Sequence, residues 1–226
     1  DLLINEIMAD PDPSINLPNE EYIEIFNNTG FDIDLTGWKL ISGTTENDFP
    51  ADTLKANAYL TLCPESAASE LINYGEVLGF PSFPSITNAG TTIKIVDKDG
   101  TEIDTVAFTI DWYQNTEKDD GGWSLERIDP LNFCSGLTNW KASEDPDGGT
   151  PGFENSVFKP NQDTVPPQIE KLEIIASQQL RLYFNEPIEN ATATSIENFT
   201  VNQGIGNPYA VLIQNNNMKI DLLFLD

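Results

Sequence analysis

Two glutamates carry the residue type that acid–base chemistry needs: Glu6 in Asn5-Glu6-Ile7 and Glu24 in Ile23-Glu24-Ile25. A pair of carboxylates can serve glycoside hydrolysis, one giving a proton while the other attacks or activates water. Both, however, lie in short β-like runs. The competing reading is that they sit on the polar face of strands with no cleft between them, and the sequence favours it. Histidine is absent from the chain. That removes the commonest general base and the usual zinc ligand, and makes a Ser-His-Asp or Cys-His arrangement impossible.

Three acidic loops are candidates for calcium, which takes six to eight oxygens from carboxylates and carbonyls. The leading cluster is Asp10 and Asp12 with Glu21; Asp119-Asp120-Gly121-Gly122 and Glu144-Asp145-Pro146-Asp147-Gly148-Gly149 follow. None has EF-hand spacing. The same residue types make turns without any ion, and that reading outweighs the metal one. Trp112 and Tyr113 precede Gln114 and Asn115, and exposed rings beside amides suit sugar stacking and hydrogen bonding. Here the competing reading, which is preferred, is packing over an open end of the fold. Trp38 and Trp140 are assigned to packing. Cys63 and Cys134 are the only cysteines. A disulfide between them is expected, closing a loop of roughly 70 residues and worth up to ~4 kcal/mol; the alternative is two buried thiols.

The elements that must position these residues are short. Tyr59–Cys63, Thr92–Val96 and Leu180–Phe184 alternate apolar and polar side chains, the mark of half-buried antiparallel strands. Asp97-Lys98-Asp99-Gly100 is a hairpin turn with Gly100 free to take positive φ. Pro64–Leu71 predicts one or two turns of helix. Many short strands between turn signals argue for a sandwich. Further strands are expected over 169–175, 199–201, 210–213 and 218–225. Asn155-Ser156 leads into a Pro-rich stretch ending in Pro166-Pro167, which reads as a stiff linker. The domains are therefore 1–156, a linker over 157–167, and 168–226.

The order INEIMADP (4–11), EYIEIFNN (21–28) and IDLTGWKL (33–40), completed by ITNAGTTIKIVDKDG (86–100), WSLERIDP (123–130), NWKAS (139–143) and GGTPGFENS (148–156), resembles the lamin tail domain in its bacterial, secreted form. DTVPPQIEKLEI, LRLYFNEPIENATA, ENFTV and MKIDLLF resemble the opening of a bacterial immunoglobulin-like domain. The resemblance implies an all-β chain: an immunoglobulin-like antiparallel β-sandwich, then a second, incomplete sandwich with an open edge. It also implies a non-catalytic extracellular or cell-surface module for adhesion or targeting, with a glycan or protein ligand. A pure spacer is the alternative, and a calcium-dependent hydrolase a distant one. The open edge allows a monomer or an edge-paired dimer.

Composition narrows the partners. Thirty-seven acidic residues against eleven basic give a net charge of -26. Phosphate backbones and anionic membranes are disfavoured by that field, whereas divalent cations and basic partners are favoured. The charge also serves solubility. No run of apolar residues is long enough to cross a bilayer. Residues 1–5 lack the features of a signal peptide, so one is expected to have been removed or never present.

Overall fold

The computed structural model describes residues 2–132, 136–161, 164, 166–188, 190–214 and 217–225. It divides into two units, Asp1–Gln162 and Asp163–Asp226. In the first unit the chain runs through β1 (Leu2–Met8), β2 (Tyr22–Asn27), β3 (Ile33–Asp34), β4 (Lys39–Ser42), β5 (Thr45–Asp48), β6 (Thr53–Leu54) and β7 (Tyr59–Pro64). A single helical turn, α1 (Ala68–Leu71), precedes β8 (Val77–Phe80), β9 (Thr92–Val96), β10 (Glu102–Ala107), β11 (Leu125–Arg127) and β12 (Trp140–Ala142). Among the described residues these strands form a six-stranded sheet, β12-β11-β1-β2-β7-β8, a four-stranded sheet, β10-β9-β4-β5, and the small pair β3-β6. All pairings are antiparallel except β7 with β8.

The two larger sheets close on one apolar core. Ile7, Ile23, Ile25, Leu60 and Leu125 enter from the six-stranded sheet, and Leu40, Ile93, Ile95 and Val106 from its partner. Alternation along β2, β4, β7 and β9 therefore did what period-two patterning predicts. The chain is built almost wholly of β-strands, and its first unit is the mainly antiparallel sandwich that the resemblance implied. The hairpin between β9 and β10 forms as read: Gly100 has φ +84°, and the Asp97 carboxylate accepts the N–H groups of Asp99 and Thr101 at 2.9 and 2.8 Å. Trp38 packs, partly buried, against the core, and Trp140 is inside it.

The strand β1 breaks the alternation. Its register against β2 shifts between Ile4 and Glu6, so Ile4 and Ile7 both point into the core with two residues between them. This bulge turns Asn5 and Glu6 together onto the outer face, and it re-aims Asn5, a common use of bulges. The expected linker begins later than its composition suggested. Val157 is 7% exposed. Asn161 donates its backbone N–H to Asp129 and its side-chain amide to the Asn139 oxygen, so residues up to 161 are tied to the first unit.

In the second unit β13 (Ile169–Ala176), β14 (Gln179–Phe184), the helical turn α2 (Asn190–Ala193), β15 (Ala210–Gln214) and β16 (Lys219–Leu223) follow one another. The sheet order is β13-β14-β16-β15. Ile188, Ala193, Phe199 and Val201 pack on Leu182, Ile220 and Leu222. Residues 199–201, expected as a strand, make only an isolated bridge from Val201 to Gly206. Arg181 grips the buried Asp221 through its Nε at 2.6 Å and Nη2 at 2.8 Å.

Candidate functional site

The predicted sugar platform comes apart in the fold. Trp112 and Tyr113 lie in a 3-10 turn, Ile110–Tyr113, and Tyr113 is 3% exposed, its ring part of the core. Burial pushes its phenol well above the ordinary tyrosine value. Gln114 takes a left-handed φ of 53° and donates its amide to the carbonyls of Leu137 and Trp140 at 3.2 and 2.7 Å. Asn115 is also occupied, accepting the Glu117 N–H at 2.9 Å. Only Trp112 keeps an accessible ring. It sits 6.2 Å from the Trp140 ring and lines a shallow groove with Asp104, Arg127, Asn132 and Asn139.

The acidic loops resolve into turns. Glu21 accepts the Ile86 N–H at 3.3 Å; burial, with Asp10 and Glu20 adding repulsion, raises its carboxyl. Asp12 contributes its backbone instead: a Cβ at residue 121 would stand 2.1 Å from the Asp12 carbonyl oxygen. Asp145 accepts the Asp147 N–H, and Asp147 accepts from Asn16. Among the described residues no three acidic or cysteine side chains are grouped to hold a metal ion. Cys63 is a buried free thiol, packed with Met8, Leu17, Tyr22, Ala67 and Leu71. Burial pushes that thiol up to about 11. Its expected partner, Cys134, lies outside the described residues.

The densest chemistry lies elsewhere, on the face of the six-stranded sheet turned away from the core. Glu24 on β2 stands opposite Glu6 on β1, which stands opposite Glu126 on β11. Glu126 in turn faces Lys141 on β12, and Glu24 faces Thr61 on β7. The strand reading put Glu6 and Glu24 on the non-core face, and they are there. It expected a simple polar face, and that was wrong: Glu6, Glu24 and Glu126 are each 0% exposed. The cover is the stretch Gly148–Val157, laid across all three strands.

This strap satisfies the carboxylates. Thr150 gives its backbone N–H to Glu6 at 2.9 Å. Gly152 gives its N–H to Glu24, and Val157 gives its own to Glu126 at 3.1 Å. The Ser156 hydroxyl donates to Glu126 at 2.8 Å and the Tyr22 phenol to Glu6 at 2.6 Å. Asn5, delivered by the bulge, donates to Glu24 at 2.9 Å and to the side-chain oxygen of Asn155 at 2.8 Å. Asn155 returns two bonds, to the carbonyls of Asn5 and Arg127, at 3.0 and 2.8 Å. Glycine is required where the strap touches down. A Cβ on Gly149 would meet the Tyr22 hydroxyl at 2.5 Å and Glu6 at 2.6 Å, and one on Gly152 the Tyr74 carbonyl at 2.4 Å.

Burial and crowding set the electrostatics. Burial, then repulsion from Glu126, raises the Glu6 carboxyl to about 7. Burial, then Glu6, lifts Glu24 well above the ordinary range. Burial also raises Glu126 against the pull of its Ser143 and Ser156 neighbours. Carboxyls perturbed in this way are the material of acid–base catalysis, yet here every one is spent on protein donors beneath a closed cover. On the other side of β11, Arg127 donates its Nε to the Ile4 carbonyl at 2.8 Å and Nη2 to Asp104 at 2.7 Å. Asp104 also accepts the Ile4 N–H at 2.8 Å.

Set beside known proteins, residues 1–109 match the family model described as Lamin Tail Domain. No curated protein matches the chain. The matched stretch ends before β11, β12 and the strap, so one of the three glutamates and all of their cover lie beyond it.

Proposed function

Residues 1–109 belong to the lamin tail domain family, a family of immunoglobulin-like and typically non-enzymatic modules, and from that premise we propose that this chain is a non-catalytic binding module working outside the cell or on its surface. The observation that carries the proposal is the sealing of Glu6, Glu24 and Glu126. Among the described residues this cluster of perturbed carboxyls lies beneath a closed cover, and each of its three carboxyls is engaged by protein donors. Binding is assigned to the groove of Trp112 and Trp140. There one partly exposed indole is ringed by a carboxylate, a guanidinium and amides, which suits a glycan. A net charge of -26 argues further against nucleic acid.

A second reading, a spacer between domains, is favoured by the burial of Tyr113 and by the engagement of Gln114 and Asn115 in hydrogen bonds within the chain. A glycan array probed with the full chain and with Trp112→Ala separates the two. Saturable binding to a glycan, weakened tenfold or more by Trp112→Ala, supports the binding module. No glycan binding, or binding that the substitution leaves untouched, removes the groove as the site and leaves the spacer.

A further inference from the structure

Three carboxylates in one register row, with no cation among them, present an unusual problem. Directly opposed residues of antiparallel strands have Cβ atoms only about 5 Å apart, and like charges at that spacing repel. The nearest cations stand outside the cover and are engaged: Lys141 pairs with Glu144, and Lys118 lies 3.7 Å over the Trp123 ring and donates to the Ser143 carbonyl. The other ionisable groups facing the row are Tyr22 on β2, Tyr59 on β7 and Glu154 on the strap, and none brings positive charge.

The hydroxyl of Thr150 decides how the row is arranged. Its oxygen lies 3.2 Å from Glu6 and 3.1 Å from Glu126. A threonine hydroxyl has a single hydrogen and can donate to one of them only. The other contact becomes a hydrogen bond when that carboxyl carries a proton and donates it to the Thr150 oxygen. The Ser124 hydroxyl, 0% exposed, also adjoins Glu6 and pulls its carboxyl the other way, towards the ionised form.

We infer that Glu6, Glu24 and Glu126 form an internal proton-binding site, and that the protons it holds latch the Gly148–Val157 strap over the sheet. With the protons in place the row carries little charge, and Thr150 bridges Glu6 to Glu126. When they leave, three buried anions face one another across adjacent strands. Lifting the strap is then the shortest route by which they regain water. The sign follows from linkage: the closed form binds more protons than the open one, so closure weakens as pH rises from about 4.5 through about 7 and beyond.

Two measurements on the full chain test this. Carboxyl carbon resonances, followed by NMR through a pH titration, should place Glu6 at about 7 and both Glu24 and Glu126 above the ordinary glutamate value. Amide exchange, corrected for intrinsic base catalysis, should show protection at Gly152 and Val157 falling on the order of 100-fold between pH 5 and pH 8. Ile95, in the opposite sheet, should lose far less. Glu24→Gln, which keeps the shape and removes one of the three titrating carboxyls, should make that loss of protection smaller. Titration of all three carboxyls near the ordinary glutamate value overturns the proposal. So does a strap whose protection ignores pH, or one that loses protection only in step with Ile95. If Glu24→Gln fails to fold, the titration of the unmodified chain still decides.

Discussion

Asp104 and Arg127 join the two sheets through one ion pair, and the geometry leaves little slack. The Arg127 side chain is 4% exposed and its partner's 18%. Removing one member of such a pair strands the other charge, at a cost of about 3–5 kcal/mol. Asp104→Ala is therefore expected to lower the unfolding free energy by about 3 kcal/mol or more, and chemical denaturation would measure it. The raised carboxyls give a pH effect with a definite sign. The Glu6 contribution is fully present below about pH 4.5 and is lost as pH rises to about 7. Melting temperature should accordingly fall between pH 5 and pH 8, and Glu6→Gln should flatten the curve. Cys63 offers a simpler check. With its thiol pushed up to about 11 and fully enclosed, it should resist a thiol reagent at pH 8 in the native Cys134→Ser protein and react promptly in denaturant; rapid native labelling would contradict its placement.

The strap behaves as an element although it has no regular secondary structure. It is held by backbone N–H groups of Thr150, Gly152 and Val157, so its conformation matters more than its side chains, apart from Thr150, Asn155 and Ser156. Asn155→Ala deletes bonds to the Asn5 and Arg127 carbonyls and leaves both buried. A loss of about 2–4 kcal/mol is expected, at about 1–2 kcal/mol per orphaned group. Gly149→Ala should cost about 1–3 kcal/mol through overpacking against Tyr22 and Glu6. Little of this element was legible beforehand. Alternation in Ile23-Glu24-Ile25 says that Glu24 points away from the core, but not what lies over it. Glu126 passed unremarked in Trp123–Pro130, although Asn5-Glu6-Ile7, Ile23-Glu24-Ile25 and Leu125-Glu126-Arg127 repeat one device on three strands. Gly148 and Gly149 read as turn makers; their close approach to other chain segments, and that of Gly152, depends on long-range packing. By contrast the strands β7, β9 and β14 and the Gly100 turn were readable, because local alternation and φ preference fix them. Tyr113 escaped the same reading because a ring within a polar stretch gives no sign of which way its turn will rotate it.

At the scale of the molecule the stretch matched to the family is shorter than the unit that folds. Unit 1 runs to residue 162, and β1 lies between β2 and β11. A chain ending at residue 109 would lack β11, β12 and the strap, leaving Glu6, Glu24 and one edge of β1 uncovered. It is expected to aggregate or to melt without cooperativity, whereas a chain ending at 161 should give one sharp transition by calorimetry. The net charge of -26 adds a diffuse repulsion. Raising salt from about 10 mM to about 150 mM shortens the screening length from about 30 Å to about 8 Å, and should raise the melting temperature of the full chain.

The central position of β1 has a consequence for how the protein is made. Leu2–Met8 leaves the ribosome before either strand it pairs with, and its hairpin-like partner β2 soon follows. Its other neighbour, β11, emerges more than a hundred residues later, and the strap that seals both comes after that. At about 5–20 residues per second, the nascent chain spends many seconds with a glutamate-bearing strand edge exposed. Those same carboxylates, harmful when shut in together, are fully hydrated and ionised during that interval. The charge that strains the finished fold would then guard the unfinished one, keeping neighbouring nascent chains from pairing along the open edge of β1.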